Sequence, residues 1–439
     1  MIKNKLFSPK TICSLLAFTL LATAVTGCGK KTASNNNVGN KAADASELLS
    51  EAQKASKDYV YKQTFLDGII EKGEQVQFLN YIGDRATVAT FSDDGKYKCI
   101  SVNKDGSDVQ SFEVPIDGIN VLKTCFASDK DGNFYVIADS TIMKYDNSGK
   151  ELFKKDIDFQ VNEISWSEKY GLVISADKGV GIYDEQNGFN VIIDAKTAEN
   201  KIGSDEYTLC QGAKDLFFLY SSSERSNVIK IDLDNKTLGE ICAAIEDPIF
   251  SFFGGEGYDL YAKNKEAVYG YDCASDKLTK LLDFQDSDLN AFDVRYAAAI
   301  SGTELFAMSW DAELNCSLCT LTKVKPEDIP DKILLTMGCV QPYYETINEI
   351  SKFNKENDKY KIKVVDYSDS YGDMTIPEMV QPFNLDIISG KTPDILCFSD
   401  IFSPNIENYA NKVHISDERR NHSAYSGVMN SDGRSAHSA

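Results

Sequence analysis

Three observations predict a multidomain chain that is mostly β, with a smaller α/β piece after it. Short apolar runs with alternating spacing, each entered from a turn residue, recur from about residue 58 to 328. Taking Gly83, Gly132, Gly171, Asp215, Gly257 and Gly302 as anchors, the intervals are 49, 39, 44, 42 and 45 residues. Beyond Pro326 and Pro330 the grammar changes to strand, helix, strand, helix, strand. A period of about 40 to 45 residues holding several strands is the signature of propeller blades. The fold class is therefore an all-β propeller of six or seven blades followed by a partial α/β lobe. The seventh blade depends on whether Tyr59 to Gly73 contributes one.

The first element is an export signal. Lys3, Lys5 and Lys10 give a positive start, and Ile12 to Ala24 form an apolar run too short to remain as a membrane span. Small residues then lead into Val25-Thr26-Gly27-Cys28. These four residues resemble the lipobox of bacterial lipoproteins. The resemblance implies lipidation at Cys28 and a mature protein tethered to the cell membrane on its outer face. Residues 28–57 are polar and read as a flexible spacer.

Within residues 58–328 a second, offset signal supports the repeat. Tyr145-Asp146, Tyr183-Asp184, Ile231-Asp232 and Tyr271-Asp272 each end an alternating strand and open a turn cluster, as hairpins require. The repeat is similar to loosely repeated propellers and lacks the Trp-Asp ending of the WD40 family. A lone four-stranded sheet cannot hide both faces, whereas blades stacked around an axis bury each other.

In the last part, Lys332 to Met337, Lys361 to Tyr367 and Asp394 to Phe398 read as strands. Gly338 opens a turn, Tyr343 to Asn357 has helical spacing, and Pro377 to Ser389 is helical despite Pro382. The alternation implies parallel crossovers. Three segments, Ile350-Ser-Lys-Phe353-Asn354-Lys-Glu-Asn357, Tyr360-Lys-Ile-Lys-Val-Val365 and Ser389-Gly390-Lys391-Thr392-Pro393-Asp394-Ile395, together resemble the first lobe of extracellular solute-binding proteins of ABC importers, closest to the sugar-type family. The resemblance covers residues 331–412. It implies a periplasmic-binding-protein-like lobe, a small-molecule solute such as a sugar, and an ABC permease as partner. In that family the solute sits at the carboxyl ends of the parallel strands. Carried over, Gln341 and Asp400 would bond hydroxyls, and Tyr343 or Tyr344 would offer a ring face. The competing readings are helix packing for the tyrosines and a helix cap for Asp400.

The resemblance stops at residue 412. The segment 413–439 holds all three histidines and three of the six arginines, and reads as an atypical, disordered tail. One partial lobe cannot enclose a ligand between two walls, so impaired solute capture and an exposed, aggregation-prone sheet edge are expected.

Charge and cysteine usage narrow the function classes. The formal charge is −21, and loss of the signal's three lysines takes it to −24, which disfavours nucleic acid as a partner. Eleven cysteines are scattered singly except Cys316 and Cys319, whose strand-like setting points them to opposite faces. Buried small apolar residues are the expected role for most. Residues 1–413 contain no histidine, so no Ser/His/Asp or Cys/His constellation is possible in the ring. Gly254-Gly255-Glu256-Gly257 precedes a strand rather than a helix and reads as a blade turn, and Asp129-Lys130-Asp131-Gly132-Asn133 reads as a turn rather than a calcium loop. No metal, no cofactor and no enzymatic activity are expected. The leading expectation is a lipoprotein delivering a carbohydrate to an ABC transporter. The alternative is a non-transport surface protein whose propeller binds a protein or wall polymer, and a third reading is a hydrolase or lyase using the propeller's channel.

Overall fold

A computed structural model describes residues 56–116, 124–203, 207–221, 226–242, 245, 251–311, 315–368 and 376–397. Within them, β1 (Tyr61–Leu66) precedes five complete antiparallel blades. The first holds β2 (Gln75–Ile82), β3 (Arg85–Phe91), β4 (Tyr97–Asn103) and β5 (Gln110–Glu113). The second holds β6 (Thr124–Ser128), β7 (Phe134–Ala138), β8 (Thr141–Tyr145) and β9 (Glu151–Asp156). The third holds β10 (Val161–Ser167), β11 (Gly171–Ala176), β12 (Gly179–Asp184) and β13 (Gly188–Asp194), and is followed by helix α1 (Ala195–Ile202). The fourth holds β14 (Thr208–Gln211), β15 (Leu216–Ser221), β16 (Ser226–Asp232) and β17 (Thr237–Ile241). The fifth holds β18 (Ser251–Phe253), β19 (Leu260–Lys263), β20 (Ala267–Asp272) and β21 (Lys277–Asp283).

The sixth blade joins the two ends of the ring. It takes β22 (Val294–Ser301), β23 (Glu304–Trp310) and β24 (Cys316–Lys323) from the end of the repeat and β1 from its start. Tyr61 lies opposite Lys323 and Leu66 opposite Leu318, so Tyr59 to Gly73 supplies the sixth blade's outer strand and no seventh blade. The innermost strands neighbour one another in the order β2, β6, β10, β14, β18, β22 and back to β2.

Why the ring holds is visible at its blade junctions. Each of the six carries its own buried apolar cluster, such as Ala89, Tyr97 and Cys99 of the first blade against Phe126, Phe134 and Val136 of the second. A fully buried Phe, Leu or Ile side chain contributes about 1.5–3 kcal/mol, and every blade gains from two neighbours. All six glycine and aspartate anchors of the repeat fall at the turn between the first and second strands of successive blades. The aspartates of the offset signal open the third-to-fourth hairpins. Asp146 Oδ1 accepts from the backbone nitrogens of Ser148 and Lys150 at 2.9 and 3.0 Å, and Asp232 and Asp272 make equivalent turns. Asp129 Oδ1 likewise accepts from Asp131 N and Asn133 N, the turn reading rather than the calcium one.

Antiparallel order places first-to-second and third-to-fourth turns on one face, here the hairpin face. Second-to-third turns and blade-to-blade crossings lie on the other, the connector face. Gly255 shows why the loop at Gly254 is glycine-rich. It has φ +134°, and a Cβ there would sit 2.1 Å from Ala299 O, where the fifth blade's turn bonds directly to β22.

The remaining described residues form a parallel three-stranded sheet of order β26-β25-β27, with β25 (Ile333–Cys339), β26 (Tyr360–Asp366) and β27 (Ile395–Leu396), plus helices α2 (Tyr344–Glu356) and α3 (Ile376–Ser389). Gly338 lies inside β25 rather than opening a turn, paired with Val365 and Leu396, and a Cβ there would meet Pro393 at 2.7 Å.

The edge of the sheet at β26, one of its two edges, is not left open. Asn354 of α2 bonds both backbone groups of Ile362 at 2.7 and 2.9 Å, and Gln285 of the propeller bonds both of Val364 at 2.7 and 3.1 Å. Lys361 and Lys363 reach Asp288 and Asp286 on the same propeller crossing at 2.7 and 3.0 Å. Side-chain amides with a donor and an acceptor reproduce what a neighbouring strand would supply. The unit is thus seated on the connector face through the crossing between β21 and β22.

Candidate functional site

The inner strands surround a channel of about 620 Å³, lined by residues from all six blades. Its hairpin-face mouth carries Glu168, Lys169, Lys214 and Glu256. Lys169 is ion-paired to Asp234. At the start of β22, toward the connector face, Arg295 lies with its guanidinium 4.6 Å from the centre of the Trp310 ring.

Glu163, on β10, is a half-buried carboxyl in the channel wall. Burial pushes it up from 4.5 to about 7, and among the described residues no cation is paired with it. On the two flanking blades, burial first and the charge of Glu163 second push the thiols of Cys125 (β6) and Cys210 (β14) up to about 12. Thiols held so firmly protonated are poor nucleophiles and poor metal ligands. Phe78, Phe252 and Tyr296 complete this part of the wall.

Two polar atoms of the lining are buried without a partner: Trp166 Nε1, a donor, and Gln211 Oε1, an acceptor. The Gln211 amide is oriented by its own Nε2, which donates to Gly212 O at 2.8 Å and Asp215 O at 3.2 Å, so its oxygen is the end left over. Trp166 is held by stacking on Tyr135, with ring centroids 5.4 Å apart.

A second cavity of about 480 Å³ lies where β1, the Asp286–Leu289 loop and the segment around Pro330 meet. Its lysines are largely spent on the protein itself: Lys57 on Asp331 and Ile329 O, Lys332 on Asn354 O, and Lys361 on Asp288. The channel is the better candidate.

Of the residues expected to hold a solute, the structure describes Gln341, Tyr343 and Tyr344. Gln341 is exposed with φ +49°, its N–H donating to Asp366 Oδ1 at 3.0 Å, and Tyr343 is 41% exposed at the start of α2. Tyr344 donates its hydroxyl proton to Asp293 of the propeller, and Asn348 one turn later bonds Asn290. Tyr344 is therefore a docking residue, which is the packing reading rather than the ligand one. Cys28 and Asp400 lie outside the described residues, as do the lipid signal and the segment 413–439. Cys316 and Cys319 are both buried free thiols in two different clusters. Glu163 was not singled out from sequence.

No family model and no curated protein matches the chain. Among solved structures it is similar to the Pan2 WD40 domain of Neurospora crassa, at 9% identity over 62% of this chain and 98% of that one, TM-score 0.38. A chain of the mitotic checkpoint complex matches at 12% identity over 68% and 99%, TM-score 0.39, and the Dos1 propeller at 14% over 61% and 75%, TM-score 0.32. The expected membership of the sugar-type solute-binding lipoproteins is corrected by these findings, and with it the carbohydrate solute and the ABC permease. No family model and no curated protein supports it, and of the residues assigned to solute capture that the structure describes, Gln341 and Tyr343 lie toward solvent while Tyr344 bonds the propeller.

Proposed function

We propose that this chain is a non-catalytic binding module, tethered outside the cell through Cys28, whose propeller holds a protein partner bearing a basic surface. The observation that carries this reading is the asymmetry of the ring. The α/β unit is seated on the connector face at the crossing between the fifth and sixth blades, while the channel opens on the hairpin face between Glu168, Lys169, Lys214 and Glu256. That face presents Asp84, Glu168, Asp184, Glu256 and the turn aspartates of successive blades. Carboxylates distributed over one face steer a basic partner toward it. The tether follows from the signal and lipobox-like residues, since two acyl chains hold a membrane far better than one.

The test uses the full chain on its own cells. Charge reversal at the mouth, E168K with E256K, should weaken crosslinking of the captured protein at least tenfold, and raised salt should do the same. Unchanged capture would refute the assignment of this face. Cys28→Ser should release the protein from the membrane fraction, and continued retention would refute the tether.

A further inference from the structure

The cavity of about 480 Å³ where the propeller meets the α/β unit has two sides of different chemistry. On one side Phe65, Val324, Ile329 and Leu334 supply apolar surface. Phe65 shares a face of β1 with the buried Tyr61, two alternations away, yet it remains 48% exposed with the cavity before it. A ring left wet at an internal junction has apolar area still to bury.

The other side is α2. Tyr344 and Asn348, one turn apart, bond Asp293 and Asn290 of the propeller, and so fix the face that α2 turns toward the ring. Lys355 follows Tyr344 by eleven residues, about three turns at ~3.6 residues each, and therefore lies on that same face. It lines the cavity, and its charge acts on the thiol of Cys319. Cys319 is the residue opposite Phe65 in the register of β1 with β24, and Gln63 Nε2 donates to its sulfur at 3.5 Å. Helix and strand thus bring an ammonium and a phenyl ring to one place.

The charges of the lining do not cancel. Asp288 and Asp331 are paired with Lys361 and Lys57, Asp286 with Lys363, and Lys332 donates to Asn354 O. Asp293, which also feels Lys355, is held by the Tyr344 hydroxyl. Among the described residues Lys355 has neither an ion pair nor a hydrogen bond, nor does Lys62 at the rim, and Asp328 is the one lining carboxylate outside an ion pair. A local surplus of cations is the exception in a chain of formal charge −21.

We infer that this junction binds a small amphipathic anion, whose apolar chain or ring lies along Phe65, Ile329 and Leu334 and whose acidic head is met by Lys355. Water alone satisfies the ammonium and leaves the ring wet, whereas a ligand with both parts gains from each. The cavity falls within the range of about 300–1,000 Å³ usual for small-molecule sites. Because β1 is the outermost strand of its blade, the site lies at the rim of the ring, apart from the channel and from the protein-binding face proposed above. The inference goes beyond that function and does not depend on it.

The full chain is titrated with decanoate below its micellar range and followed by calorimetry, with decanol and decyltrimethylammonium as the neutral and cationic counterparts. Amide exchange then locates the bound probe. The expected result is saturable binding of one decanoate, at least tenfold tighter than decyltrimethylammonium and tighter than decanol. Binding should weaken tenfold or more in K355E and in F65S, stay within about threefold in K355R, and slow exchange along Tyr61–Leu66 and Ile333–Cys339. Absence of binding overturns the inference, as does equal binding of all three probes, which would mark unspecific adsorption to apolar surface. Unchanged binding by K355E, with its fold intact by circular dichroism, or protection confined to the inner strands of the channel, would overturn it equally.

Discussion

Replacing Glu163 by glutamine should stabilise the protein at neutral pH and do little in acid. The carboxyl ionises at about 7 in the fold against 4.5 when free, so the folded state holds its proton more tightly than the unfolded state does. A raised carboxyl is an advantage below the unfolded value, and that advantage is lost as pH rises toward and through the folded one. At ~1.4 kcal/mol per tenfold, the interval converts to about 3 kcal/mol of stability lost between pH 4.5 and pH 8. Glutamine keeps the shape and cannot ionise. Urea denaturation of the full chain and of E163Q at pH 4.5, 6 and 8 isolates the term, because general charge repulsion in this acidic protein is common to both and cancels in the difference. The gain of E163Q should grow from near zero at pH 4.5 to about 3 kcal/mol at pH 8. The nearby thiols stay protonated throughout and add nothing. A difference flat with pH to within about 0.5 kcal/mol would refute the claim that burial governs this carboxyl.

Gly255→Ala should cost roughly 3 kcal/mol or more, since the new Cβ would meet Ala299 O at 2.1 Å from a backbone at φ +134°; thermal unfolding reads the loss, and a change under about 0.5 kcal/mol would contradict it. Gln285→Ala removes both hydrogen bonds that cover Val364, at 2.7 and 3.1 Å, and should speed amide exchange along Tyr360–Asp366 while leaving the blades protected; unchanged exchange there would show that the edge is covered by other means. Asp394→Ala strips the acceptor from Thr336 N and Oγ1, at 2.8 and 2.9 Å, and should destabilise the parallel sheet by about 2 kcal/mol in denaturant melts, with Asp394→Asn recovering part of it.

The blades were legible because their turns obey local chemistry. Gly83, Gly132, Gly171 and Gly257 all adopt positive φ at the turn between first and second strands, a conformation the backbone dictates and the residue type reveals. Asp146, Asp184, Asp232 and Asp272 open hairpins through bonds to nitrogens two to four residues on, again a local matter. Helix α1 was missed inside a run of strands, although its ends carry readable caps: Asp194 Oδ1 accepts from Thr197 N at 3.0 Å, and Gly203 follows at φ +83°. Eight residues are too few for a helical period to outweigh the surrounding alternation. In the α/β unit the strands and helices were readable from spacing. Their partner was not, because the residues that decide it, Gln285, Asp286 and Asp288, belong to a crossing loop far upstream.

The candidate site was illegible for a geometric reason peculiar to closed rings. In a sheet with one wet face, alternation alone tells buried from exposed, and an acid among the polar set needs no explanation. An inner propeller strand has blades on both faces and the axis along its edge, so both alternating sets are partly covered. Along Val161–Ser167 exposure steps irregularly, with Ile164 and Ser167 buried and Glu163, Ser165 and Trp166 intermediate. Glu163 therefore reads like any solvent-facing carboxylate until the positions of Cys125, Cys210 and Tyr296 on three other blades are known. Asn354 shows the same limit from the other side. It was read as part of a solute-binding motif, yet it is 2% exposed and serves the outer edge of β26. A motif of residue types fixes which hydrogen bonds are available; which neighbour consumes them is a property of the assembled fold, and the two roles separate only when the edge strand has been identified.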